Sequence, residues 1–164
     1  MGTVVECDPF ELVGRAGAWL EREPVLHNVI CTVLGRAQAD PGHFAEAVWL
    51  VVEEAGEPVG VAIHTPPFLL GLTPMPDAAL AGLAETLAER RPQLPGAGGP
   101  GDVAGRFAGI WRGRTGAEVK DGFELLLYGL DAVVAPPPAP GRFRPAGEDD
   151  RLLVREWFAS FVNE

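Results

Sequence analysis

Reactive side chains are scarce in this sequence. It holds two cysteines, one tyrosine, three histidines and, in Lys120, a single lysine. Cys7 and Cys31 lack metal-ligand spacing, and they read as two reduced, partly buried thiols of a cytoplasmic protein. Positive charge is in deficit as well. The net charge of -10 and a pI near 4.7 argue against nucleic acid or an anionic membrane surface as partner. No apolar run approaches the ~20 residues a membrane helix needs. Residues 1–6 show no basic stretch leading into an apolar core, so no signal peptide is read. No serine sits in a nucleophile elbow, and no Cys/His/Asp cluster has the spacing of a metal site. Gly96-Ala97-Gly98-Gly99-Pro100-Gly101 lacks the lysine and Ser/Thr of a phosphate loop, so it reads as a flexible or bulged connection.

What is present is an ordinary globular composition. The 164 residues are 47% hydrophobic and 22% charged, enough for one well-cored domain. Richness in Ala, Gly, Pro and Arg matches a GC-rich bacterial coding sequence. Asp8 caps a helix with Pro9 at its first position, and Phe10, Leu12, Val13, Ala16, Trp19 and Leu20 share one face. A second helix is expected from Pro24 to Ala39. Three apolar runs follow as strands: Val48–Val52, Val59–Ile63 and Phe68–Leu72. The first two are joined by the Gly-containing loop Glu54–Glu57.

A third helix spans Asp77 to Arg90, closed by Arg91 and Pro92. Gly96–Gly98 suggests a very short strand. Asp102 caps a fourth helix that Gly116 ends. Phe123–Leu130 is expected as a strand buried on both faces.

The proline run 135–141 then reads as a stiff linker. It divides the chain into residues 1–134 and 142–164. Beyond it, Arg142–Ala146 is expected as an edge strand. A last helix follows, with Leu153, Val154, Trp157, Phe158, Phe161 and Val162 on one broad apolar face. Such a face either folds back on the domain or meets a partner, and the linker before it favours a partner.

The order helix, helix, three strands, helix, short strand, helix, strand resembles the GNAT superfamily of N-acetyltransferases over about Phe10 to Leu130. Within it the chain is similar to the degenerate N-terminal lobe of doubled bacterial members. The likeness is carried by Trp19-Leu20, Glu23-Pro24-Val25-Leu26-His27-Asn28-Val29, the strand end Gly60–Pro67, Leu94-Pro95-Gly96, Gly99-Pro100, Phe107–Trp111 and the Pro140–Ala146 run. It implies an α/β (α+β) domain with a mixed, mostly antiparallel sheet flanked by helices. It also implies an acyl-CoA-dependent reaction whose cofactor is acetyl-CoA, and a catalytic second lobe outside this chain. The diagnostic of that superfamily is a Q/R-x-x-G-x-G/A loop whose N–H groups bind the coenzyme pyrophosphate.

The corresponding turn, Leu72-Thr73-Pro74-Met75-Pro76-Asp77, departs from the pattern. Its two prolines have no N–H to donate, its aspartate holds the helix start, and no basic residue lies between Phe68 and Glu89. The expectation is a lobe that does not bind acetyl-CoA by itself.

Few side chains stand out as site residues. His64, at a strand end, is the one candidate general base. With Thr65, His27 and Asn28 it outlines a substrate pocket. Against that, His27 and Asn28 also read as a boundary histidine and a hydrogen-bonded amide. His43 and the Glu53/Glu54 pair read as solvated. Tyr128 reads as a core-edge aromatic. Trp157, Phe158 and Phe161 are expected to contact a second lobe or a second copy of the chain.

Overall fold

The computed structural model describes residues 2–90, 93–138 and 140–163. Arg91, Pro92 and Ala139, expected in the third helix's end and the linker, lie outside them. The chain divides into two compact units, Met1–Gly129 and Leu130–Glu164.

The first unit is α+β. Its strands are β1 (Thr3–Cys7), β2 (Val48–Glu54), β3 (Glu57–His64), β4 (Leu70–Leu72) and β5 (Ala97–Gly98), in the spatial order β1-β2-β3-β4-β5. The first four pair antiparallel and β5 joins β4 in parallel, so the sheet is mixed.

The alternation of β2 explains the layers. Val48, Leu50 and Val52 point to one face, under α3 (Asp77–Arg90) and α4 (Val103–Thr115). Trp49 and Val51 point to the other, under α1 (Pro9–Leu20) and α2 (Asn28–Ala39). Because β2 and β3 are covered on both faces, they read as continuous apolar runs.

Local chemistry sets the element ends. Asp8 Oδ1 accepts from the N–H groups of Phe10 and Glu11 at 2.8 Å, so the predicted cap forms. Gly116 closes α4 with φ 72°, a left-handed conformation that costs glycine little. In the turn between β2 and β3, Ala55 and Gly56 have φ of 52° and 85°. Positive φ at both central residues is the demand of a type I′ hairpin turn, which Gly56 meets freely and Ala55 under strain. A Cβ on Gly99 would lie 2.6 Å from the Leu72 carbonyl oxygen, and that close approach lets the chain leave β5 for α4.

Several expectations change. Strand β1 was not expected; its five residues precede a helix cap and pair with β2, more than 40 residues later. Helix α2 starts at Asn28 rather than Pro24, with residues 24–27 in a turn. Only Leu70–Leu72 of the third run is strand, and Phe68 is 66% exposed. The expected buried strand Phe123–Leu130 is neither strand nor buried. Phe123, Leu125, Leu126 and Tyr128 are 77–82% exposed, because β4 and β5 take each other as neighbours and, among the described residues, no strand stands beside the run. Tyr128 is thus no core-edge aromatic.

The second unit has no strand among its described residues. Arg142–Ala146, expected as an edge strand, is irregular. Arg144 turns back there to hold Asp150 with two hydrogen bonds of 2.5 and 2.8 Å. A 3-10 turn, Glu148–Asp150, leads into α5 (Arg151–Val162). The Asp150 carboxylate also accepts from the Gly147 N–H at 2.8 Å. Arg144 and that N–H pull its pKa down to about 2. The apolar stripe of α5 exists as expected, and Trp157, Phe158 and Phe161 are 67–73% exposed.

Candidate functional site

The turn from β4 to α3 is the place where α/β proteins often hold an anion, since backbone N–H groups converge there. Here side chains of this protein occupy it. The Thr73 N–H donates to the Val61 carbonyl at 3.0 Å, and Thr73 Oγ1 accepts from the Val61 N–H at 2.8 Å. The threonine thereby extends the β3–β4 ladder past its last strand pair. Met75 is buried and lies over Gly60, where a Cβ would stand 2.7 Å from its methyl group. Pro74 and Pro76 bring no N–H. The Pro76 carbonyl accepts from Ala79 and Leu80 at 3.0 Å and opens the helix.

At the positive end of α3 stands the Asp77 carboxylate, 2.6 Å from Arg106 Nη1. Arg106 reaches in from α4. It also donates to the Met75 carbonyl at 3.2 Å, and its Nε lies 3.2 Å from Asp102. Asp102 therefore holds Arg106 rather than capping α4, where it makes no side-chain cap bond. The hydrogen bond to Asp77, and secondarily the nearby Asp102 carboxylate, raises the arginine's pKa further. Its positive charge is committed to two carboxylates. Asp77 is largely solvated, so this is a surface clasp of modest strength. No sequence signal links Arg106 to the turn; it lies 29 residues from Asp77, on another helix.

The remaining candidates lie in two places. His64 ends β3, buried at 4% exposure, opposite Val48 on one side and Leu70 on the other. Thr65 follows it and lines a cleft of about 180 Å³ with His43, Phe44, Glu46 and Pro66. His27 belongs to the α1–α2 junction instead. Its ring stacks on Trp19 with centroids 5.0 Å apart, and Nδ1 lies 2.9 Å from the Leu20 carbonyl oxygen. A carbonyl only accepts, so that nitrogen carries the proton. Asn28 is the half-buried first residue of α2. Neither His27, Asn28 nor His64 lines the cleft beside Thr65.

A second cleft of about 170 Å³ lies between Val48, Leu50 and Leu87, with Thr86 and the Glu6–Arg90 ion pair on its lining. Both clefts are smaller than the ~300–1,000 Å³ of drug-sized ligand pockets.

Both thiols are held toward their protonated form. Burial, helped by the Glu11 charge, pushes the Cys7 thiol up to about 11, and its Sγ donates to the Trp49 carbonyl. Burial raises Cys31 too. Glu53 is no solvated hairpin tip: it accepts from Arg15 at 3.1 Å and ties β2 to α1. His43 packs edge-on against Phe44. Among the described residues, no group of three His, Cys, Asp or Glu side chains could hold a metal ion, and no helix is long and apolar enough to cross a membrane.

No known protein family, curated protein or solved structure matches this chain significantly.

Proposed function

We propose that this chain is the N-terminal, coenzyme-free lobe of an acetyl-CoA-dependent N-acetyltransferase of the GNAT type, working beside a catalytic lobe. The α+β order and mixed sheet are compatible with that fold. The observation that carries the coenzyme-free part is the occupied turn. Its positive helix end is taken by Asp77, its cation is shared between Asp77 and Asp102, and two of its residues lack an N–H. A pyrophosphate arriving there meets a resident carboxylate instead of free donors. The lobe's part is then architectural: it supports its neighbour and forms one wall of the acceptor cleft, with Thr65 at the strand end on the cleft beside His43 and Phe44. The α5 stripe of Trp157, Phe158 and Phe161 supplies the contact with the second lobe.

A second reading is a non-catalytic binding module on the same fold. The exposed stripe of α5 favours it, since it needs a partner but no reaction.

The test is coenzyme A release from acetyl-CoA over a panel of amines. It is run on this chain alone and on the chain isolated from its own cells with the polypeptide bound to it. Thiol release by the complex only supports the proposal. Release by the chain alone overturns the coenzyme-free part. Release by neither overturns the acetyltransferase part and leaves the binding module.

A further inference from the structure

Two features of the first unit are left over once its core is built, and they complement each other. One is the arm Phe123–Gly129, Phe-Glu-Leu-Leu-Leu-Tyr-Gly, which is neither helix nor strand. It exposes Phe123, Leu125, Leu126 and Tyr128 by 77–82% and Leu127 by 51%. It has no proline and a single charge, the composition of a segment that pairs readily as a strand.

The other feature is the outer edge of β1. Thr3–Cys7 pairs with β2 on one side and, among the described residues, with nothing on the other. The opposite sheet edge, β5, is two residues long and stands between Pro95 and Pro100, the usual protection of an edge. Strand β1 has five residues, no proline and no lysine, and its one charge, Glu6, is held by Arg90. It is the unguarded edge.

We propose that Phe123–Gly129 of one copy adds as a strand along the free edge of β1 in a second copy, and that the exchange is reciprocal. Each chain offers one unpaired donor segment and one open acceptor edge, so a twofold pair uses both and leaves neither over. Within one copy the arm runs elsewhere. It follows α4, which packs at the β5 side of the sheet, and Gly129 ends beside Val25, whose methyl groups lie 3.8–3.9 Å from where a glycine Cβ would be. The rings of Phe123 and Tyr128 bury roughly 150–250 Å² each when covered. Together they supply over a third of the ~800 Å² that one partner brings to a standard interface, before Leu125, Leu126 and Leu127 add theirs. This pairing stands or falls apart from the acetyltransferase proposal, since it involves no coenzyme.

The experiment is light scattering across a dilution series, joined to hydrogen exchange of the β1 amides. The full chain should be a dimer that dissociates on dilution, with those amides of residues 3–7 that point away from β2 protected only in the dimer. Leu126→Pro removes one N–H of the new ladder at an exposed site. It should give a monomer whose outward β1 amides are unprotected and whose thermal melt matches that of the parent at a dilution where both are monomeric. Trp157→Ser/Phe161→Ser should remain dimeric. A chain monomeric at every concentration overturns the proposal. So does a dimer that survives Leu126→Pro, or one lost in the α5 double variant instead.

Discussion

Strand β2 and the arm Phe123–Gly129 are both short, apolar and rich in large side chains, yet they lead opposite lives. Strand β2 has β1 and β3 beside it, α3 and α4 over one face and α1 and α2 over the other; five of its residues are buried. The arm has no strand beside it among the described residues and stands in solvent. Burial in this molecule is conferred by neighbours. A strand is made by the edges that receive it, and its own hydrophobicity only makes it willing.

The sharpest way to break that contrast is truncation on each side. Leu50→Ala, at 1% exposure, should cost about 2–5 kcal/mol in denaturant unfolding. Leu126→Ala, measured where the chain is monomeric, should move stability by less than ~0.5 kcal/mol. Equal losses would mean the arm is packed in solution.

A smaller effect concerns the turn that makes β2 and β3 a hairpin. Ala55→Asn relieves the cost of a positive φ on alanine and should raise the melting temperature by about 2–4 °C. A fall would show that the turn has another conformation.

The smallest effect lies in the second unit, where support is local. Asp150 has its carboxyl lowered to about 2 by Arg144 and the Gly147 N–H, below the ordinary 3.8. Its contribution to the start of α5 is therefore complete above pH ~4 and lost as pH falls through about 2. The Asp150 carboxyl resonance should titrate near 2. A midpoint near 4 would mean that the Arg144 pair does not form.

Much of the first unit was legible because its signals are local. The caps at Asp8 and Gly116, the periodicity of α1, α3 and α4, and the apolar runs of β2 and β3 all lie within a few residues of what they determine. What escaped depends on distant partners. Strand β1 is half exposed, and its pairing with β2 spans more than 40 residues, so no short window shows it. The arm reads as a core strand because sequence records its composition and not its missing neighbour. At the candidate site, Pro74, Pro76 and Asp77 were visible as obstacles to an anion. The Arg106 clasp and the Thr73 continuation of the ladder were not, since both are made by groups brought together from separate elements.

The order β1-β2-β3-β4-β5 carries a consequence for how the chain assembles in time. Strands β2, β3 and β4 follow one another with short connections, so their pairing closes small loops and can zip outward from the Ala55-Gly56 turn. Strand β1 must find β2 across α1 and α2, and loop-closure entropy, growing as ~(3/2)RT ln n, is set against it. Topology thus favours a nucleus at the β2–β3 hairpin and a late arrival for β1. The last strand to dock is then the one whose far side stays available to another chain.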